Sequence, residues 1–491
     1  MGYFSEHTEL IAFLLLFLIS IFAPASGFDF KTTEEEVLKL EPLLRIRQLA
    51  AISDSPHHLQ RTFLSKASLE AGNLIKAWME DAGMSTWIDN IGNVHGRIAG
   101  KNSLAPALLL GSHYDTVIDA GMYDGAFGII ASIAAVKALH VDGLLDTFPR
   151  PIEIIAFSDE EGVRFQSTFL GSAAIAGKFS EHLLSVLDKS GTTLETALKT
   201  TAFPGTLESI CKIKYDTDSV WGYVEVHIEQ GPVLERQGVP VGIVGSIAGQ
   251  TRLSVNLKGL QGHAGTVPMA MRRDPMAAAA AAIVSIEHIC KHPEEFLSRD
   301  LVQSQKDHFV FEGALVCTVG EIATWPGASN VIPGEVSFTV DIRAEDDAVR
   351  RSAVETIIKR IQDLSLARQV QPSIEIKHEA GAVLCDSHVQ ERLRLASMQA
   401  LQKLRRSGFH VDHEVVPSLV SGAGHDALMM AHLTKVGMLF VRCTGGISHS
   451  PDEHVLEDDV WAASLALKEF LVNEIPSPKG MHSSKSAEYI N

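Results

Sequence analysis

The sequence predicts an α/β protein: a mixed, largely parallel sheet forms one domain, and a ferredoxin-like βαββαβ unit is inserted into it. Three observations predict this. From about Leu38 to Gly249, short apolar runs alternate with helix-length segments: Ala107–Gly111 followed by Phe127–Leu139, then Ile152–Ser158, then Tyr223–Ile228. Runs of that length are what a parallel sheet covered on both faces requires. At Gln250 the pattern becomes alternating, with Leu253, Val255 and Leu257 on one strand face. A helix at Met276–Ile289, a strand across Ala314–Ile322, an alternating strand at Val336–Ile342, a helix around Ala348–Leu364 and a strand at Ser373–Lys377 then complete the βαββαβ order. From about Leu384, helix and strand alternate again through Val436–Arg442 to Phe470, as though the first domain resumed. The expected boundaries are 28–249 and 380–475 for the larger domain and 250–379 for the insert.

A chain of 491 residues exceeds the size at which single cores stop growing, which agrees with two domains. A net charge of −18 and a pI near 5.6 argue against nucleic acid or an anionic membrane as partner, because binding phosphates needs clustered positive charge. A small ligand fits better. Ile11–Ala23 is too short to span a bilayer comfortably and precedes the small-residue stretch Ala23-Pro24-Ala25-Ser26-Gly27. Residues 1–27 therefore read as a signal peptide, which directs the protein to the endoplasmic reticulum lumen or the secretory pathway and leaves no membrane segment after cleavage. The preceding segment lacks Lys and Arg and carries Glu6 and Glu9, which keeps an uncleaved anchor open. Residues 476–491 read as a disordered tail. Five scattered cysteines (Cys211, Cys290, Cys317, Cys385, Cys443) predict buried thiols rather than a disulfide framework.

Polar clusters follow four of the expected strands: His113-Tyr114-Asp115, Asp159-Glu160-Glu161, His227-Ile228-Glu229 and His449. In open α/β sheets the ligand crevice lies at those strand ends. Any one of the 21 histidines is more often an ordinary loop residue, so the weight rests on the set. Asp124, ahead of the helix after the first strand, adds a carboxylate. Together His113, Asp124, Glu161, His227 and His449 offer three imidazoles and two carboxylates, a donor set suited to manganese, zinc or cobalt rather than calcium. Five ligands exceed the needs of one ion, so two ions sharing the Asp124 carboxylate are expected. Glu160 is left over as a free base able to take a proton from water and return it to a leaving nitrogen. Asp115 is placed to orient the His113 ring.

The motifs GSHYDTVIDAGMYDGAFG (111–128), FSDEEGVRFQSTFLGS (157–172), VEVHIEQGPVLE (224–235), GQTRLSVNLKGLQGHAGTVPM (249–269), SNVIPGEVSFTVDIR (329–343), SGAGHDA (421–427) and GGISHSPDEH (445–454) resemble the hydantoinase/carbamoylase branch of the dinuclear metallopeptidase family that also holds aminoacylases. The match runs from about residue 40 to 472. His227 marks the branch, since the wider family usually places an acid there. The resemblance implies a bilobal subunit whose insert is both lid and dimer interface of a homodimer, with two divalent ions per subunit, manganese being the usual one. It also implies that Gln250, His263, Asn330, Arg343 and the Gly424 backbone contact a small anionic ureido substrate. Arg343 would anchor its carboxylate, and His263 would polarise the scissile carbonyl from across the dimer. The implied reaction is hydrolysis of allantoate to ureidoglycine, ammonia and carbon dioxide, with ureidoglycolate and N-carbamoyl-β-alanine or other N-carbamoyl amino acids as alternative substrates.

Overall fold

The computed structural model describes residues 33–297, 315–409 and 415–476. The expected signal peptide and residues 477–491 of the expected tail lie outside them. No helix among the described residues is long and apolar enough to cross a membrane.

A nine-stranded sheet is the base of the larger domain. Its four central strands are β3 (Ala107–His113), β4 (Ile152–Phe157), β5 (Val220–Ile228) and β16 (Val436–Val441), after β1 (Ser85–Ile88) and β2 (Val94–Ile98) in the chain. The central four run parallel in the spatial order β4-β3-β5-β16. They are buried along nearly their whole length, which explains the largely apolar runs, interrupted by the buried carboxylates Glu153 and Glu225. Antiparallel strands flank them: β1 and β2 beside β4, and β6 (Val241–Ile247) with β14 (Val383–Leu384) beyond β16. Strand β15 (Ser418–Ser421) pairs parallel with β6. Helix α1 (Ala126–Val141) is apolar on nearly every side because it sits inside the core, between the sheet and outer helices.

The described residues 249–297 and 315–380 include a second, five-stranded sheet with its own apolar core. Its strands are β7 (Gly249–Lys258), β9 (Leu315–Thr318), β10 (Ile322–Trp325), β12 (Glu335–Ala344) and β13 (Gln371–Ala380), ordered β10-β12-β7-β13 with β9 also on β12. Helices α2 (Pro275–Lys291) and α3 (Asp347–Ala367) cover one face. Each opens on an aspartate, Asp274 or Asp346, whose carboxylate accepts hydrogen bonds from two first-turn N–H groups. Alternation in β12 is strict: Val336, Phe338, Val340, Ile342 and Ala344 face the helices, and Asp341 and Arg343 face away.

Two expectations are corrected. The single strand expected across Ala314–Ile322 is two short strands, broken at Val319-Gly320-Glu321, and both pair with β12. The cysteines are not all thiols: Cys290 on α2 and Cys317 on β9 form a disulfide, while Cys211, Cys385 and Cys443 are free. Packing of α2 over β9 brings the bonded pair together, which their separation of 27 residues did not reveal.

Candidate metal centre and substrate cavity

Because β4, β3, β5 and β16 are neighbours with their C-terminal ends on one side, the clusters that follow them meet. His113 ends β3, Glu160 and Glu161 follow β4, His227 lies near the end of β5, and His449 follows β16. Asp124 sits between the two halves of the set. Its Oδ1 is 3.2 Å from His227 Nε2 and 3.7 Å from His113 Nε2; its Oδ2 is 3.1 Å from His449 Nε2, which lies 3.5 Å from Glu161 Oε1. Two three-donor groups, His113/Asp124/His227 and Asp124/Glu161/His449, are joined through the one carboxylate, and a third, His113/Glu160/Glu161, overlaps both. All five expected ligands are brought together.

The donors fit divalent cations on direct grounds. Asp124 Oδ1 is buried with no well-formed hydrogen bond, although two imidazole nitrogens point at it. His113 Nε2 and His227 Nε2 approach to 3.5 Å, and two ring N–H groups could not both donate into that gap. Their other nitrogens are fixed by backbone carbonyls: Asp115 O accepts from His113 Nδ1 at 3.1 Å and Ile228 O from His227 Nδ1 at 2.9 Å. That turns Nε2 of both rings toward the cluster, the nitrogen that offers a lone pair once the ring is neutral.

Asp115 orients the His113 ring through its backbone carbonyl rather than its side chain. Its carboxylate is 3.7 Å from His113 Nδ1, and instead accepts the N–H groups of Glu160 (3.0 Å) and Glu161 (3.2 Å). It fixes the backbone that carries the base and a ligand. The turn before them is tight, with Asp159 at φ +57°.

Electrostatics divide the acids. Burial, then Glu161, Asp426, Asp115 and Asp124, push the Glu160 carboxyl well above the usual range. Burial and Asp124 raise Glu161 to about 8. Burial pushes Asp124 upward too, but His227 and His449 outweigh it and hold that carboxyl well below the normal value. The same contacts hold protons on the two rings: His227, despite burial, and His449 each rise to about 9. A cation bound here displaces those protons.

The cavity above the ligands has a volume of about 610 Å³. His113, Asp124, Glu160, Glu161, His227 and His449 lie on its floor side, while Gln250, Arg252, Arg343 and His378 reach it from the insert. Arg343 is aimed by Asp341, which accepts from Nε (2.9 Å) and Nη2 (3.0 Å); Nη1 donates to Gly422 O at 2.7 Å. Nη1 and Nη2 each keep one further N–H, a pair of donors of the kind a carboxylate accepts. Gly424 also lines the cavity, and a Cβ there would stand 2.7 Å from Phe169, so only glycine lets the backbone come this close.

His263 and Asn330 do not line the cavity. They sit together on the insert, where β8 (Gly262–His263) pairs with β11 (Val331–Ile332). His263 is exposed, and its Nδ1 accepts the Gly265 N–H at 3.0 Å, which leaves Nε2–H outward as a donor.

Sequence reading missed several supporting residues. Buried Glu453 accepts the N–H groups of Tyr123 (2.8 Å) and Asp124 (3.1 Å) and the Ser448 hydroxyl (2.9 Å), tying the Asp124 and His449 loops together. Gln230 Nε2 donates to Asp124 Oδ2 at 3.1 Å. Asn93 Oδ1 accepts from Ser158 N at 3.0 Å, at the end of β4; Asn93 Nδ2 is held by Asp89, and Asp89 by His95. Glu453 and Gln230 stand within four residues of a ligand, a signal that proximity in sequence could have given; Asn93 gave none.

Parallel strands whose ends present a shared carboxylate, three imidazoles and two adjacent glutamates define a metallohydrolase, and a sequence profile of peptidase family M20/M25/M40 matches residues 109–473. The chain belongs to that family. Among its relatives, allantoate deiminase 2 of Glycine max is 54% identical over 476 residues, covering 96% of this chain and 98% of the relative. Allantoate deiminase of Arabidopsis thaliana is 56% identical over 441 residues, 90% of this chain and 83% of the relative. Of solved structures, an amidase of the hydantoinase/carbamoylase family from Burkholderia multivorans is 28% identical with a TM-score of 0.76, covering 90% of this chain and 99% of its own. AtUAH in complex with (S)-hydroxyglycine is 28% identical with a TM-score of 0.71 over the same shares.

Proposed function

We propose that the protein hydrolyses allantoate, releasing ammonia and carbon dioxide and leaving ureidoglycine. The observation that carries this is the pairing, in one cavity, of the five-donor cluster and Glu160 with Arg343, a guanidinium suited to a substrate carboxylate. The names of relatives at 54–56% identity support the substrate.

Two divalent ions, with manganese as the working metal, would be held by His113/Asp124/His227 and Asp124/Glu161/His449. Bound there, they supply Lewis acidity and a water of lowered pKa. Arg343 anchors the carboxylate and Gln250 donates its amide N–H₂, since its Oε1 already accepts from Arg252 at 3.3 Å. Glu160 takes a proton from the attacking water and returns it to the departing nitrogen. Its buried position keeps bulk water from competing for that proton. In a homodimer, His263 and Asn330 of one subunit reach the cavity of the other, and His263 Nε2–H stabilises negative charge on the scissile carbonyl. The insert closes over the substrate as a lid.

The secretory pathway, with residues 1–27 as its signal, is the compartment we assign. The Cys290–Cys317 disulfide supports it, because such bonds persist where the surroundings are oxidising.

Ammonia release from allantoate, ureidoglycolate and N-carbamoyl-β-alanine by manganese-loaded protein tests the substrate. Allantoate is turned over with the highest kcat/KM; a wide margin for either of the others contradicts the assignment. Glu160→Gln, with metal content verified, lowers kcat by roughly 10²–10⁴-fold; wild-type kcat removes Glu160 from the mechanism.

A further inference from the structure

At the far end of α2, in the insert, four side chains able to ligate metal crowd together, none of them lining the cavity. His288 and His292 stand one helical turn apart, with ring centroids 5.0 Å from each other. Pro293 then starts a short turn, Pro293–Phe296, that brings Glu294 and Glu295 back against the rings. His288 Nε2 is 3.4 Å from Glu295 Oε2, and His292 Nδ1 is 3.6 Å from Glu294 Oε1. One donor atom each from His292, Glu294 and Glu295 falls within 4.8 Å of the others.

The separations decide how the cluster is read. On the same helix, Lys291 Nζ closes on Glu287 Oε1 to 2.6 Å, the distance of a hydrogen-bonded ion pair. The two imidazole–carboxylate pairs stop well short of that. Donors about 2.0–2.2 Å from a central zinc, arranged tetrahedrally, lie roughly 3.4 Å from one another, close to the spacing within each of the two pairs. The partial negative charge at a helix C-terminus adds attraction for a cation. Two imidazoles with two carboxylates favour a borderline ion such as zinc or nickel over manganese or calcium.

We propose that His292, Glu294 and Glu295, with His288 against Glu295, form a peripheral binding site for a divalent transition metal, separate from the catalytic centre. The ion ties the end of α2 to the turn after it, beside Cys290 and its disulfide, and stabilises the insert by mass action. All four side chains are about half exposed, so the ion exchanges readily with solvent.

Equilibrium dialysis of the full-length protein against zinc ions alone and manganese ions alone tests this. Zinc bound exceeds manganese bound by one ion per subunit. The double substitution His288→Gln/His292→Gln loses that one zinc and keeps the manganese count. Zinc also raises the Tm of the wild type more than that of the double variant. Equal zinc counts for the two proteins overturn the proposal. In Glu294→Gln/Glu295→Gln, which retains both rings, zinc retention falls at least tenfold; unchanged retention means the carboxylates are not ligands, and the assigned site is wrong. Metal counting reads the site whether or not allantoate is the substrate.

Discussion

The two sheets handle charge in opposite ways. In the nine-stranded sheet the central strands are mostly apolar, with Glu153 and Glu225 buried among them, and the donor cluster gathers along one row of C-terminal ends, where His113, Asp124 and His227 are almost fully buried. In the five-stranded sheet every second residue of β12 is polar, and Asp341 and Arg343 stand on the face turned from the helices. A parallel sheet covered on both faces concentrates polar chemistry at its ends, whereas an antiparallel sheet covered on one side offers a whole polar face. On the proposed function, metal ligation therefore comes from the first and substrate recognition from the second. Substitutions in the first region should act on metal content and kcat, and those in the second on KM.

The largest effect is expected at the shared carboxylate. Asp124→Asn removes the only ligand common to both groups, so metal content by mass spectrometry falls by both ions and hydrolysis drops below detection; retention of one ion would show that the halves are independent. Arg343→Lys comes next. Losing the planar fork raises KM about tenfold, or about 1.4 kcal/mol, while kcat moves little; a fall in kcat alone would erase the contrast between the sheets. Asn93→Ala, which frees the end of β4, lowers kcat several-fold with KM and metal content unchanged, and a KM effect instead would detach Asn93 from the Glu160 loop.

The smallest effects are on stability. Opening the disulfide with Cys290→Ser/Cys317→Ser lowers the stability of the insert by roughly 2–4 kcal/mol, seen as earlier loss of amide protection in residues 249–380 only. His95 is buried between Asp89 and Glu153; burial lowers its pKa, but the two carboxylates outweigh it and bring it to about 9. A folded pKa raised above the unfolded value of ~6.5 gives stability that is complete below pH 6.5 and is lost as pH rises through about 9. Denaturant unfolding of wild type and His95→Gln should thus differ most at pH 6 and least near pH 10. A gap that widens with pH would mean the ring is neutral in the fold.

The ligand set was legible because strand-end placement is a local signal: each of His113, Glu161, His227 and His449 follows a run of apolar residues readable by itself. The division between the sheets was legible for the same reason, as the period changes at Gln250. What the sequence hid depends on contacts through space. Glu453 reaches the Tyr123 and Asp124 amides across some 330 positions, and Asn93 reaches Ser158 across 65. Asp115 lay beside His113 in sequence, yet its carboxylate went to the Glu160 loop, because β3 and β4 are neighbours in register. The Cys290–Cys317 bond was missed since cysteine number and spacing say nothing about which helix covers which strand.

Anomalous X-ray diffraction from crystals of the manganese-loaded protein tests the central claim most directly. Two peaks about 3.5–4 Å apart are expected, one against His113 and His227, the other against Glu161 and His449, with Asp124 between them and Glu160 bound to neither. His113, Glu160 and Glu161 also come close enough to share an ion. A single peak there, with Glu160 as a ligand, would contradict the account.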